Sequence, residues 1–140
     1  MLRRPIRPGR DGFTLMEVLL VLVILVILGS LVGVAIYQQQ KRAFRNAAET
    51  QIGNYKRSLQ LYAMDIRSFP TTQQGLQSLV APPADLKNPA RWKKGYLDSD
   101  TVPLDPWDNP YQYELLDADT FRIWSMGPDG SSGTDDDISS

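Results

Sequence analysis

Apolar positions change rhythm twice along this chain. From Val18 to Tyr37 there are twenty residues without a charge. At 1.5 Å of rise per residue such a run makes about 30 Å of helix, one hydrocarbon thickness. Polar residues then return at Gln38-Gln39-Gln40-Lys41-Arg42, so the membrane-compatible stretch ends there. The helical signal does not end with it. Phe44, Ala48, Ile52, Tyr55, Leu59, Tyr62 and Ile66 follow at spacings of three and four, one apolar stripe on a helix. No proline falls between Pro8 and Pro70. The pattern predicts one helix from about Phe13 to Arg67, apolar all round in its first half and amphipathic in its second. Ser68-Phe69-Pro70 stops it, because proline disfavours helical geometry in the residue before it.

Beyond Pro70 the elements are short. Thr71-Thr72-Gln73-Gln74 has the spacing of a capping box and predicts a short helix, with Leu76, Leu79 and Val80 facing a core. Residues 81–100 are rich in turn formers and read as a surface loop. Tyr111 to Leu116 and Thr120 to Ser125 alternate like strands around the turn Asp117-Ala118-Asp119, so they predict an antiparallel hairpin. Asp105-Pro106-Trp107-Asp108-Asn109-Pro110 reads as a rigid turn. The last residues, from Met126, are glycine, serine and aspartate. The fold class is α+β: a long N-terminal helix with a transmembrane first half, packed on a small globular head with a short helix and a small antiparallel sheet. The segments are 1–12, a basic leader; 13–37, the transmembrane half; 38–67, the amphipathic half; and 68–140, the head.

Charge and composition sharpen this outline. The 140 residues carry a net charge of −1. Arg3, Arg4, Arg7 and Arg10 against Asp11 make the leader basic, so the rest of the chain is net acidic. Arginines directly ahead of an apolar run act as a topogenic signal, which predicts a cytoplasmic N-terminus and an exported C-terminal part; no nucleic-acid partner is implied. There is no cysteine and no histidine. Disulfides, thiolate chemistry and the commonest general base are therefore excluded. The aspartates have no partner base, so the chain does not read as an enzyme.

One residue resists the simplest accounts. Glu17 puts a carboxylate at the head of the apolar run, and a charge at a helix centre in the bilayer costs roughly 3 kcal/mol. A plain anchor does not explain it. Nor does a secretory signal peptide cut near Gly33-Val34-Ala35, which would leave a soluble chain starting near Ile36. "GFTLMEVLLVLVILVIL", Gly12 to Leu28, resembles the N-terminal motif of type IV pilin-like proteins. The resemblance implies a prepilin peptidase that cuts between Gly12 and Phe13 and N-methylates Phe13. The apolar run is then retained. Cleavage creates an amine with an ordinary pKa of about 8, and Glu17 four residues on is its natural partner. If that amine belongs to a neighbouring subunit, the pair sets axial register in a filament.

The head points to one branch of the family. "SFPTTQQGLQSLV", "YLDSDTVPLDPWDNPYQYEL" and "SMGPDGSSGTDDDI" resemble the head of the major pseudopilins of type II secretion systems, in the same order. The likeness runs from Gly12 to Ile138. It implies a homopolymeric periplasmic filament anchored in the inner membrane that helps drive exoproteins through the outer membrane. The implied partners are further copies of the chain, the prepilin peptidase, minor pseudopilins and the inner-membrane assembly platform. An adhesion or DNA-uptake pilin is the alternative; many of those staple the C-terminal loop with a disulfide. The chain departs from the family at Val34, where a proline is usual; Gly29 and Gly33 are the weak points here, each costing about 1 kcal/mol relative to alanine.

The aspartates near the C-terminus have two readings from composition: a solvated acidic end, or a calcium site. Calcium takes about six to eight oxygens from a flexible loop, and Gly127, Gly130 and Gly133 give the backbone that freedom. The spacing is not that of an EF-hand. The pseudopilin resemblance implies calcium, with Asp129, Asp136 and Asp137 as side-chain ligands and the Met126 carbonyl as a backbone ligand. Asp135 matches no ligand position.

Overall fold

In a computed structural model that describes residues 12–139, helix α1 runs Leu15–Ile66, 52 residues without interruption. It passes through Val34, Gly29 and Gly33 without a break. Arg67 closes it in the left-handed region, with φ of 71° and its amide donating to the Ala63 carbonyl at 2.7 Å. By clustering of its contacts the chain separates after Gln40 into two units.

In the first unit the apolar side chains of α1 point outward on every side, Val18 to Ile36 included. α1 is the one described helix long and apolar enough to cross a membrane. The polar atom of Ser30 is satisfied inside the helix, its hydroxyl donating to the Ile27 carbonyl at 2.8 Å.

In the second unit, from Lys41, the stripe of the amphipathic half becomes one wall of a core. Ala48, Ile52, Tyr55, Leu59 and Tyr62 are buried, and Phe44 and Ile66 at the two ends are half-buried. Strands β1 (Gln112–Leu115), β2 (Phe121–Ser125) and β3 (Ile138–Ser139) form an antiparallel sheet in that order. Tyr113 pairs with Ile123 and Ser125 with Ile138. Tyr113, Ile123 and Ile138 join the helix stripe in a single core with Leu76, Leu79, Tyr96 and Tyr111. The hairpin turn is held by Asp117, whose carboxylate accepts the Asp119 amide at 3.1 Å.

Two elements differ from the sequence expectation. The capping box at Thr71 forms: the Gln74 amide donates to Thr71 Oγ1 at 3.2 Å and the Thr71 amide to Gln74 Oε1 at 3.0 Å. No α-helix follows, because Gly75 adopts φ 57°, ψ −162°, and only a 3-10 turn, Leu76–Leu79, continues. β3 lies in the acidic segment that reads as loop.

The core is unusually phenolic. Tyr55 Oη donates to the Pro103 carbonyl at 2.9 Å and Tyr113 Oη to the Pro70 carbonyl at 2.7 Å. Burial pushes the pKa of Tyr55, Tyr62, Tyr96, Tyr111 and Tyr113 up from the ordinary tyrosine value. A raised folded-state pKa stabilises the fold fully below the unfolded value of about 10 and loses that contribution as pH climbs through and beyond it. Alkaline titration of the processed chain in detergent should therefore show phenolate absorbance and loss of near-UV tryptophan dichroism rising together above about pH 10. Tyrosines that ionise there while the dichroism stays native would overturn this.

Candidate functional site

Two regions carry the chemistry. The first is the start of α1. Gly12 and Phe13 precede the helix, and the Phe13 side chain is 82% exposed. Thr14 caps the helix: its Oγ1 accepts the Glu17 amide at 3.2 Å, and its carbonyl accepts the amides of Glu17 and Val18 at 3.1 and 3.3 Å. Thr14-Leu15-Met16-Glu17 thus has the capping-box spacing. Glu17 sits in the first turn, where the unpaired amides make the helix end positive and favour a carboxylate. Periodicity alone predicts a start near Phe13; a threonine three residues before a glutamate was the local signal for Thr14. Phe13, Glu17, Val18, Val21 and Leu22 line one shallow apolar recess. The leader arginines lie outside the described residues.

The second region is the loop between β2 and β3. Gly127–Asp129 forms a 3-10 turn, and Gly130 closes it in the left-handed region at φ 64°. Asp129 Oδ1 accepts the Ser131 amide at 3.0 Å. Asp137 Oδ2 accepts the Gly133 amide at 2.7 Å, while Asp137 Oδ1 is buried and accepts no hydrogen bond. Asp129, Asp135 and Asp136 are exposed, and Met126 is half-buried. Among the described residues no three acidic side chains converge closely enough to hold a metal ion. Asp136 instead brings its main chain in: its carbonyl lies against the α-carbon of Gly127. A buried carboxylate oxygen without a donor is costly. Asp129, Asp135 and Asp136 carry their exposed carboxylates on the same glycine-rich loop.

A third group of residues supports that loop, and the sequence shows it only as a turn. Asp105 is 4% exposed. Its Oδ1 accepts the amides of Trp107 and Asn109 at 3.0 and 2.8 Å. Its Oδ2 accepts the Ser125 hydroxyl at 2.5 Å, and Ser125 Oγ in turn accepts the Gly127 amide at 3.1 Å. Asn109 Nδ2 donates to the Gly127 carbonyl at 3.1 Å. An aspartate with proline on its C-terminal side was the available signal. Its Ser125 partner lies too far along the chain to be seen.

Comparison with known proteins identifies the family. Residues 7–33 match the prokaryotic N-terminal methylation motif, and residues 35–140 match the family described as type II secretion system (T2SS), protein G. The type II secretion system core protein G of Aeromonas hydrophila is 41% identical over 133 residues, covering 92% of this chain and 90% of that protein. That of Pseudomonas aeruginosa is 39% identical over 132 residues, covering 93% and 92%. The crystal structure of the major pseudopilin from the type 2 secretion system of enterohaemorrhagic Escherichia coli superposes with a TM-score of 0.63 at 32% identity, covering 74% of this chain and 90% of that one. A methylation motif leading into a long helix, with a small α+β head, defines a type IV pilin-like protein. Within that class the chain belongs to the type II secretion system protein G family and is a structural subunit of the pseudopilus.

Proposed function

We propose that this chain is made as a precursor, is cut by the prepilin peptidase between Gly12 and Phe13, and is N-methylated on Phe13. The arginines of the leader hold the N-terminus in the cytoplasm, and the head folds in the periplasm. The protein is a building block and not an enzyme. Processed copies assemble as a homopolymer through contacts that repeat without closing. Minor pseudopilins and the inner-membrane assembly platform are its further partners. Filament growth helps move exoproteins through the outer membrane.

The observation that carries this reading is the position of Glu17. It stands in the capped first turn of α1, on the same apolar recess as Phe13, with no cationic side chain among the described residues that line that recess. Cleavage at Gly12 supplies the cation on each copy. Mass spectrometry of the membrane fraction should find a chain beginning at N-methylated Phe13. A chain beginning at Ile36 would end the proposal.

The loop after β2 binds calcium in this reading. Asp129, Asp136, Asp137 and the Met126 carbonyl are the ligands, and the unpartnered Asp137 Oδ1 is the support for it. Calcium supplies the positive charge that lets three carboxylates share one loop, in a head without disulfides. Calorimetry on the processed chain in detergent should show saturable calcium uptake, and the ion should raise the melting temperature. An identical melting temperature with calcium and with chelator would refute the assignment.

A further inference from the structure

We propose that Asp105 is the positioning residue of the C-terminal loop, and that its turn carries the state of that loop to α1 at Phe44. The calcium part of this rests on the assignment just made.

An aspartate that merely starts a turn needs one carboxylate oxygen. Asp105 uses Oδ1 in that way, for the amides of Trp107 and Asn109. Its Oδ2 is committed twenty residues further on, to the Ser125 hydroxyl. Nothing in the turn requires that bond. Ser125 is fully buried at the end of β2, and with its proton given to Asp105 its oxygen is free to accept the Gly127 amide. Asn109, held by the same carboxylate, takes the Gly127 carbonyl. Both polar groups of Gly127 are therefore met by residues that Asp105 holds, Ser125 through its hydroxyl and Asn109 through its main-chain amide. Gly127 follows the Met126 carbonyl directly and lies against the Asp136 carbonyl. Two of the four proposed ligand residues, Met126 and Asp136, thus border one glycine whose orientation Asp105 controls.

The turn also faces the other way. Trp107 meets Phe44 edge-to-face, with ring centroids 5.9 Å apart. Phe44 begins the buried stripe of α1. A single turn therefore touches the loop through Ser125 and Asn109, and the helix through Trp107.

The polarity of the Ser125 bond gives a sharp test. In Asp105→Asn, Oδ1 still accepts both turn amides, but an N–H group replaces Oδ2. That group can only donate to Ser125 Oγ, alongside the Gly127 amide, and the buried Ser125 hydroxyl loses its acceptor. The processed chain in detergent, wild type and variant, is compared by residue-resolved hydrogen exchange and by calcium titration. In ion-free protein the Gly127 and Gly133 amides of the variant should exchange about tenfold to a hundredfold faster, the loss of a hydrogen bond to a charged group. Calcium affinity should fall about ten- to a hundredfold, as for supporting residues around a metal. Calcium should slow exchange across residues 41–48 in the wild type and not in the variant. Ser125→Ala, which removes one hydroxyl only, should move the same readings in the same direction should Asp105→Asn fail to fold. Asp108→Asn, at the exposed turn position, should move none. Unchanged loop exchange in both Asp105→Asn and Ser125→Ala would overturn the positioning role whatever calcium does. Equal calcium protection of residues 41–48 in wild type and variant would overturn the relay. A wild type that takes no calcium while Asp105→Asn still loosens the loop would refute the metal assignment and support the positioning role.

Discussion

Gly127→Ala should lower the melting temperature of the processed chain by on the order of 10–20 °C, whereas Gly130→Ala should lower it by about half of that or less. Both glycines lie in the left-handed region, at φ 67° and 64°. Alanine there costs about 1–2 kcal/mol. The two positions differ in what the new methyl group meets. At Gly130 its nearest neighbour is Asn109 Oδ1 at 3.5 Å, an ordinary contact. At Gly127 it would collide with the main-chain carbonyl of Asp136, which no rotamer change can move away. The segment 134–139 must shift, and β3 leaves the sheet with it. Ile138, 4% exposed, would lose a burial worth about 2 kcal/mol. Strain and lost burial together come to about 3–4 kcal/mol, in the severe range for one substitution. Near-UV dichroism of the tryptophans, followed through thermal unfolding, reports the head and not the apolar half of α1. Equal losses for the two variants would mean that the Gly127–Asp136 approach does not hold the loop.

The elements that were legible in the sequence are those whose signal is local and repeated. The stripe from Phe44 to Ile66 needs only a period near 3.6, and α1 ends at Ile66 as Pro70 demands. The hairpin alternates over enough residues to show, and each strand is shorter than expected by a residue or two. β3 is two residues long, and two residues cannot display a period. Its pairing with Trp124 and Ser125 is decided by the loop that returns it, hence by Gly127. The short helix after Pro70 failed for a different reason. Its capping box formed as written, but one glycine conformation overrode propensity. The start of α1 was readable from Thr14 and Glu17 together. Asp105 was not, because its second carboxylate oxygen is explained by a donor, Ser125, that lies twenty residues away.

Glu17→Ala should insert and be processed normally, yet assemble into filaments with a critical concentration about two to three orders of magnitude higher. If Glu17 pairs with the amine of a neighbouring copy, this is an expectation about buried charges. Removing one member of a buried pair costs about 3–5 kcal/mol, because the other is left without compensation. At about 1.4 kcal/mol per tenfold change that is the stated loss. Capping provides a competing account. Glu17 occupies the third position after the Thr14 cap, and its charge favours the helix end even in a lone subunit. The two accounts differ in size and in which residue matters. Thr14→Ala removes the cap and leaves the charge; it should cost about 1 kcal/mol of helix start, and assembly should change by no more than about tenfold. If Thr14→Ala impairs filaments as badly as Glu17→Ala, capping is the role of both residues and the intersubunit pair is wrong. If Glu17→Ala alone abolishes assembly, the carboxylate acts on another copy. Pelleting the processed chain from detergent-depleted membranes, with processing checked by mass, separates these outcomes. The proposed placement has a chemical logic: if the chain is cut at Gly12, only processed copies carry the Phe13 amine, and only they can form the pair.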